Sequence, residues 1–148
     1  MRVLRPIYKY WSTLILLAVI VQIGAAGYGA FYSAEHLKDD GDVFAHKGWD
    51  HGWSFHTGLG WFLVYGILIA LVLALIARIG RPRIWWALAL AVAGILQIVF
   101  ALAGESTPAV GVLHPLNALV IAALAGAIAG YEWRRSPDPV SAPAPGTA

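Results

Sequence analysis

Residues 52–77 read GWSFHTGLGWFLVYGILIALVLALIA, a run that contains no Asp, Glu, Lys or Arg. A helix crosses the hydrocarbon core of a bilayer with about 20 apolar residues, so this run is long enough to span a membrane. Three other runs in the chain are similarly long and apolar. We therefore predict four membrane spans, at residues 11–31, 52–77, 84–104 and 108–133.

The composition of the whole chain excludes most classes of soluble protein. Of its 148 residues, 59% are hydrophobic and 12% are charged, and the mean hydropathy is +0.70. Soluble domains are typically about 45–50% apolar and about 25% charged. A soluble domain of this size could not bury so much apolar surface, so a lipid bilayer is the expected surroundings. The net charge of +2 does not indicate a nucleic-acid partner, because the basic residues cluster beside the predicted spans.

The distribution of basic residues predicts how the chain is oriented. Eight of the ten Lys and Arg residues lie before the first span, between the second and third spans, or after the fourth: Arg2, Arg5, Lys9, Arg78, Arg81, Arg83, Arg134 and Arg135. Positive charge accumulates in cytoplasmic loops, so both termini are expected in the cytoplasm of a cell with a bacterial-type plasma membrane. The apolar run at 11–31 is too long for the core of a signal peptide and is interpreted as a retained span.

The connections between the spans predict the fold. Residues 32–51 are polar and are expected to form a loop on the outer side, whereas Gly80 and Pro82 break the chain in a tight connection. Short connections favour antiparallel neighbours, so residues 1–135 are predicted to form an all-α, up-down-up-down four-helix bundle in the membrane. Residues 136–148 are rich in Pro and Ala and are predicted to be a disordered tail.

A short pattern suggests an internal repeat. Residues 22–29 and 97–104 both match Q-I-x-x-A-x-x-G, and the span that follows each of them carries one histidine, His56 or His114. The pattern is consistent with two parallel hairpins related by an axis along the membrane normal. Chance similarity in an Ala- and Gly-rich chain is the alternative explanation.

The same two histidines are the candidate cofactor ligands. The chain has no Cys and its one Met is Met1, which excludes disulfides, Fe–S clusters and covalently attached c-type haem. His56 lies six residues after Asp50 and His114 six residues after Pro108. Each is therefore roughly 9 Å into its helix, and one haem iron between facing helices would have two axial ligands.

Other residues complete the predicted site. Five residues are expected near the cofactor: Gln22, Gln97, Gly27, Gly60 and Phe100. The alternative is that the glutamines hydrogen-bond between helices and that the small residues serve helix packing alone. Pro115 is expected to bend the fourth span beside His114, because its ring would clash with the carbonyl of residue 111.

The remaining histidines are His36, His46 and His51, which lie in or beside the polar segment. We expect them to be solvated. The alternative is an outer copper or zinc site that they form together with His56, since imidazole suits both metals.

Several residues also carry a family resemblance. They are His56, then Leu96-Gln97-Ile98 with Gly104, and finally His114-Pro115-Leu116-Asn117-Ala118. On these short motifs, residues 50–134 resemble one four-helix half of the haem A synthase family. The resemblance implies a four-helix domain in which His56 and His114 hold a haem.

The chain also departs from that family. It has four predicted spans instead of eight, Trp53 where the catalytic half has Glu, and no outer Cys pair. These departures argue against synthesis of haem A and leave binding of haem b open. A homodimer would rebuild an eight-helix arrangement.

These observations lead to one main functional hypothesis, a small membrane b-type cytochrome. It would transfer electrons or sense redox state near the outer face, with quinol or a respiratory membrane complex as partner and no catalysis of its own. The main alternative is a non-enzymatic accessory or scaffold subunit of a larger membrane complex. A transporter or proton pump is less favoured, because the spans lack the buried acids and bases of proton relays.

Overall fold

The structure, a computed structural model, describes residues 3–39 and 46–135, and these residues form five α-helices. They are α1 (Leu4–Asp39), α2 (His46–Ile76), α3 (Arg81–Ser106), α4 (Pro108–Gly111) and α5 (Leu113–Arg134). The predicted tail at 136–148 lies outside the described residues. Within the described residues, four helical stretches are long and apolar enough to cross a membrane: Leu4–His36, Asp50–Ile76, Arg81–Ser106 and Pro108–Arg134. The prediction of an all-α four-helix bundle with four candidate membrane spans is confirmed, and these spans indicate an integral membrane protein.

The polar segment at residues 32–51 differs from its prediction. Much of it is helical, because α1 continues to Asp39 and α2 begins at His46. Residues 32–39 (YSAEHLKD) contain no Gly or Pro, and Ala, Glu, Leu and Lys all favour helix. Polarity alone does not end a helix, so α1 extends past its apolar part.

The helices pack in a ring. α1 packs against α2 and α5, and α3 packs against the same two helices, so α2 and α5 lie on one diagonal and α1 and α3 on the other. The contacts between neighbours join residues in opposite sequence order, as in antiparallel helices. Trp11 Nε1 donates to the carbonyl of Gly66 at 2.8 Å, and Trp133 Nε1 donates to Thr13 Oγ1 at 2.8 Å.

Close apolar packing is concentrated at one end of this ring. We call it the terminal end, because α1 begins there and α5 ends there. Its buried cluster includes Tyr8, Ile15, Ala74, Leu90 and Ile128. Towards the opposite end, where α1 ends and α2 begins, the bundle is less completely filled. Large apolar side chains such as Leu17, Phe31 and Leu119 face outwards, as expected for helices surrounded by lipid.

The turn between α2 and α3 lies at the terminal end. Arg78 adopts a left-handed conformation with φ 48°, and the N–H of Ile79 donates to the carbonyl of Ala74 at 3.3 Å. This bond closes the end of α2 in the manner of a Schellman motif. Gly80 has φ 103°, and Pro82 lies in the first turn of α3. These are the two residues that the sequence predicts to break the chain here.

A charged pair is buried near this turn. Arg83 Nη1 lies 3.3 Å from Glu132 Oε1, and the two side chains are 9% and 8% exposed. Arg83 Nε and Nη2 are buried and have no hydrogen-bond partner among the described residues. The pair joins α3 to α5, and Arg83 depends on Glu132 for compensation, whereas Glu132 also interacts electrostatically with Arg5 and Lys9.

At the opposite end, two glycines bring α3 and α4 into backbone contact. A Cβ atom added at Gly104 would lie 2.7 Å from the Cα atom of Gly111. Immediately afterwards the helix is interrupted at Val112, so Pro115 falls in the first turn of α5. In the first turn of a helix the missing N–H of proline destabilises least, because that N–H has no partner within the helix. The interruption lies beside His114, where the sequence predicts a bend.

Gly104→Ala should therefore destabilise the protein. The clash is with backbone, which no change of rotamer relieves, so we expect a loss of about 1–3 kcal/mol. Unfolding of the purified protein in detergent would measure it. The control is Gly24→Ala, whose Cβ meets no atom within 4 Å. Equal stability of the two variants would contradict the close approach at Gly104.

Candidate functional site

The less filled half of the bundle contains a cavity of about 230 Å³. Residues from α1, α2, α3 and α5 line it, and most of the lining is apolar. An apolar cavity of about 150 Å³ is already large enough to bind benzene, so this one can hold a ligand of greater size. Four small residues help to create the space: Gly60, Gly94, Ala101 and Ala118.

The cavity reaches the lipid-facing surface of the bundle. Ile23, Trp61 and Leu102 belong to its lining and are 50%, 46% and 59% exposed. A planar group larger than the enclosed volume can therefore extend between the helices. Seven residues of the lining have polar atoms in their side chains: Gln22, His56, Thr57, Trp61, Gln97, Glu105 and His114.

His56 and His114 face each other across this cavity. They lie on the diagonal pair α2 and α5, and their ring centroids are 6.2 Å apart with an interplanar angle of 60°. A ligating imidazole nitrogen lies about 2 Å from its metal, so two rings on opposite sides of one ion have centroids about 6 Å apart. The observed separation matches that distance.

The hydrogen bonds of the two rings fix their tautomers. His56 Nδ1 lies 3.3 Å from the carbonyl oxygen of Gln22, and His114 Nδ1 lies 3.0 Å from the carbonyl oxygen of Gln97. A carbonyl oxygen only accepts, so Nδ1 is the donor in both rings. Each Nε2 then carries a lone pair and is available for ligation, as in metal sites where the other ring nitrogen bonds to a carbonyl.

The side chains of the same two glutamines are bound differently. Gln22 Nε2 donates to the carbonyl of His56 at 2.8 Å, which orients the amide, and its Oε1 is buried without a hydrogen-bond partner among the described residues. Gln97 Oε1 instead accepts from Asn117 Nδ2 at 2.7 Å, and Asn117 Nδ2 also donates to the carbonyl of Ala93 at 2.8 Å. Both glutamines thus join helices at the level of the histidines.

Trp53 packs against His56 on the side towards the end of the bundle where α1 ends and α2 begins. Their ring centroids are 5.5 Å apart and the rings meet edge to face. The indole Nε1 donates to Ser33 Oγ at 3.0 Å, and the ring lies directly over Gly29, where an added Cβ would be 2.7 Å away. Gly29 is the last residue of the first Q-I-x-x-A-x-x-G match, and the close approach of the Trp53 ring explains why this position is glycine.

The structure brings together five of the seven residues predicted to form the site. His56, His114, Gln22, Gln97 and Gly60 line the cavity. The other two, Gly27 and Phe100, are not part of the lining. A Cβ at Gly27 would meet no atom within 4 Å, so this glycine is not needed to make room for a neighbour.

His36 and His51 lie apart from the cavity. The ring of His36 stacks on Tyr32 at 4.0 Å, and the ring of His51 lies 5.7 Å from that of Tyr32. The side chain of His46 lies outside the described residues. Among the side chains that the structure describes, no group of three or more His, Asp or Glu is placed to hold a metal ion.

Asn117 and Trp53 are the residues of the site that the sequence reasoning missed. Asn117 is three residues after His114, on the same helical face, and Trp53 is three residues before His56. A search for polar or aromatic residues at i±3 from each histidine would have identified both.

Comparisons of this chain with protein-family models, curated proteins and solved structures found no match.

Proposed function

We propose that this chain is a small membrane b-type cytochrome that binds one haem b between His56 and His114 for electron transfer or redox sensing. The observation that carries the proposal is the pair of facing imidazoles, 6.2 Å apart, each held through Nδ1 by a carbonyl. The residues fit the group: two neutral nitrogen donors, small side chains around them and a largely apolar cavity in a four-helix bundle.

The chain's own residues would set the properties of the site. Haem supplies a one-electron redox couple when it is bound. The Gln22 and Gln97 carbonyls orient the imidazoles and increase their basicity, and the apolar lining excludes water. Because His56 and His114 would both hold the group, the site favours electron transfer over catalysis at the metal.

The proposal includes an orientation in the membrane. The basic residues near the terminal end support cytoplasmic termini in an up-down-up-down arrangement, and the cavity then lies nearer the outer face. The matched pairs Gln22–His56 and Gln97–His114 support an internal repeat of two hairpins.

A redox difference spectrum tests this function. The full chain, expressed with haem supplied and purified in detergent, should have a Soret band and the sharp reduced bands of a six-coordinate b-type haem. Metal analysis of the same sample distinguishes haem iron from copper or zinc. A folded protein with no Soret absorption would overturn the proposal and leave the accessory subunit as the better interpretation.

A further inference from the structure

The two histidines have different surroundings on the side facing the terminal end. Three residues after His114 stands Asn117, which bonds to both the Gln97 side chain and the Ala93 carbonyl. Three residues after His56 stands Leu59, which has no polar atom to offer in its side chain. Gln22 Oε1 is correspondingly left buried without a partner among the described residues. Side-chain amides thus join neighbouring helices on both sides of the cavity, but Gln97 has a donor for its Oε1 whereas Gln22 bonds through its Nε2 alone.

The histidines themselves are held unequally. The Nδ1 to carbonyl distance is 3.0 Å for His114 and 3.3 Å for His56. N–H···O bonds usually measure about 2.7–3.2 Å, so the bond of His56 is the weaker of the two. A weaker bond at Nδ1 makes the ring a less basic and less rigid ligand.

The backbone adds to this difference. Gly58 and Gly60 follow His56, and a Cβ at Gly58 would meet nothing within 4 Å. Glycine within a helix is less stable than alanine, so this part of α2 is intrinsically easier to deform. Pro115, which follows His114 directly, restricts the backbone of α5 instead.

We infer that His56 is the exchangeable ligand of the two and that a neutral diatomic gas binds in its place. The inference rests on the proposed haem site. The cavity suits such a ligand, because its lining is mainly apolar and an uncharged molecule can reach it from the lipid. The site would then bind or sense a gas in addition to carrying an electron.

Carbon monoxide is the probe for this inference. It is added to the dithionite-reduced, haem-loaded full chain, and the Soret shift and association rate are measured. The wild-type protein should bind it. Leu59→Asn would give Gln22 Oε1 an amide donor equivalent to the one that Asn117 gives Gln97 Oε1. It should therefore hold His56 more firmly and slow the association of carbon monoxide by about tenfold or more. Leu59→Ala, which removes the leucine without adding a donor, is the matched control and should not slow it.

Single histidine variants give a second measurement that does not depend on residue 59. His56→Ala should retain haem, become five-coordinate and bind carbon monoxide faster than the wild type. His114→Ala should lose most of its haem. The reverse pattern would overturn the assignment of His56.

The outcomes separate this inference from the proposed function. A six-coordinate b-type spectrum that carbon monoxide leaves unchanged would overturn gas binding while the cytochrome proposal stands. Equal association rates in the wild type and Leu59→Asn would overturn the role of His56. A folded protein without Soret absorption would overturn the cytochrome proposal itself.

Discussion

A protein carrying both His56→Ala and His114→Ala should lose its Soret band completely while keeping its helical structure. The imidazole Nε2 atoms of these two side chains are available to ligate a metal. The lining formed by the described residues contains no other His, Cys or Met. Removing both histidines leaves the cavity without an imidazole donor for the haem iron. The measurement is the ratio of Soret to protein absorbance after purification, with circular dichroism as the check on helical structure.

The matched controls are His36→Ala and His51→Ala. Both histidines pack beside Tyr32 and neither lines the cavity, so these variants should keep the wild-type spectrum. A Soret band that survives in the double variant would mean that haem is held elsewhere. Loss of the band in the two controls would point to His36 and His51 instead.

Glu132→Leu should destabilise the protein more than Gly104→Ala does. Arg83 would keep its buried charge without the carboxylate that now accepts from Nη1, and its Nε and Nη2 already lack partners among the described residues. Breaking a buried ion pair by removing one member costs about 3–5 kcal/mol. Denaturation of the purified protein in mixed detergent micelles would measure the difference.

The double variant Arg83→Leu/Glu132→Leu distinguishes charge from packing. Replacing both members of a buried pair by apolar residues is often neutral, so this protein should unfold much closer to the wild type than Glu132→Leu does. If the double variant is as unstable as the single one, the loss comes from altered packing or from the lost interaction of Glu132 with Arg5 and Lys9. If Glu132→Leu is as stable as the wild type, the pair is hydrated rather than buried.

The fold was largely predictable from sequence because its main determinant is simple. Apolar runs of the length of a bilayer require helices, since backbone groups in lipid must be satisfied within the segment. The end of α1 was not predictable in the same way. Residues 32–39 are polar, but they contain no helix-breaking residue, and α1 continues through them. Hydropathy identifies the part of a helix that lies in lipid and does not identify where the helix ends.

The candidate site was predictable in its residue types and less so in its geometry. Equal depth on two helices placed His56 and His114 at one level, and the structure has them facing each other. Their hydrogen-bond partners were not predictable, because they are backbone carbonyls of neighbouring helices, which every residue possesses.

Gly27 and Phe100 were predicted near the cofactor but do not line the cavity, and both cases have the same cause. Gly27 is five residues from Gln22, about 140° around the helix, so the two do not share a face. In α3, the lining residues Gly94, Ile98 and Ala101 lie to one side of Gln97 in helical projection and Phe100 lies to the other. Residue size suggests that space exists near a position, but it does not give the direction in which that space lies.

The uneven filling of the bundle has a consequence for the order of assembly. The terminal end is dry and closely packed, whereas the half towards the opposite end encloses the cavity. Local opening is easiest where fewest buried contacts must break, so the two halves form units of unequal stability. The closely packed half can reach its final structure during membrane insertion, before any ligand is bound. Under the proposed function, binding of the cofactor would then require opening of the half that contains the cavity, while the closely packed half stays folded.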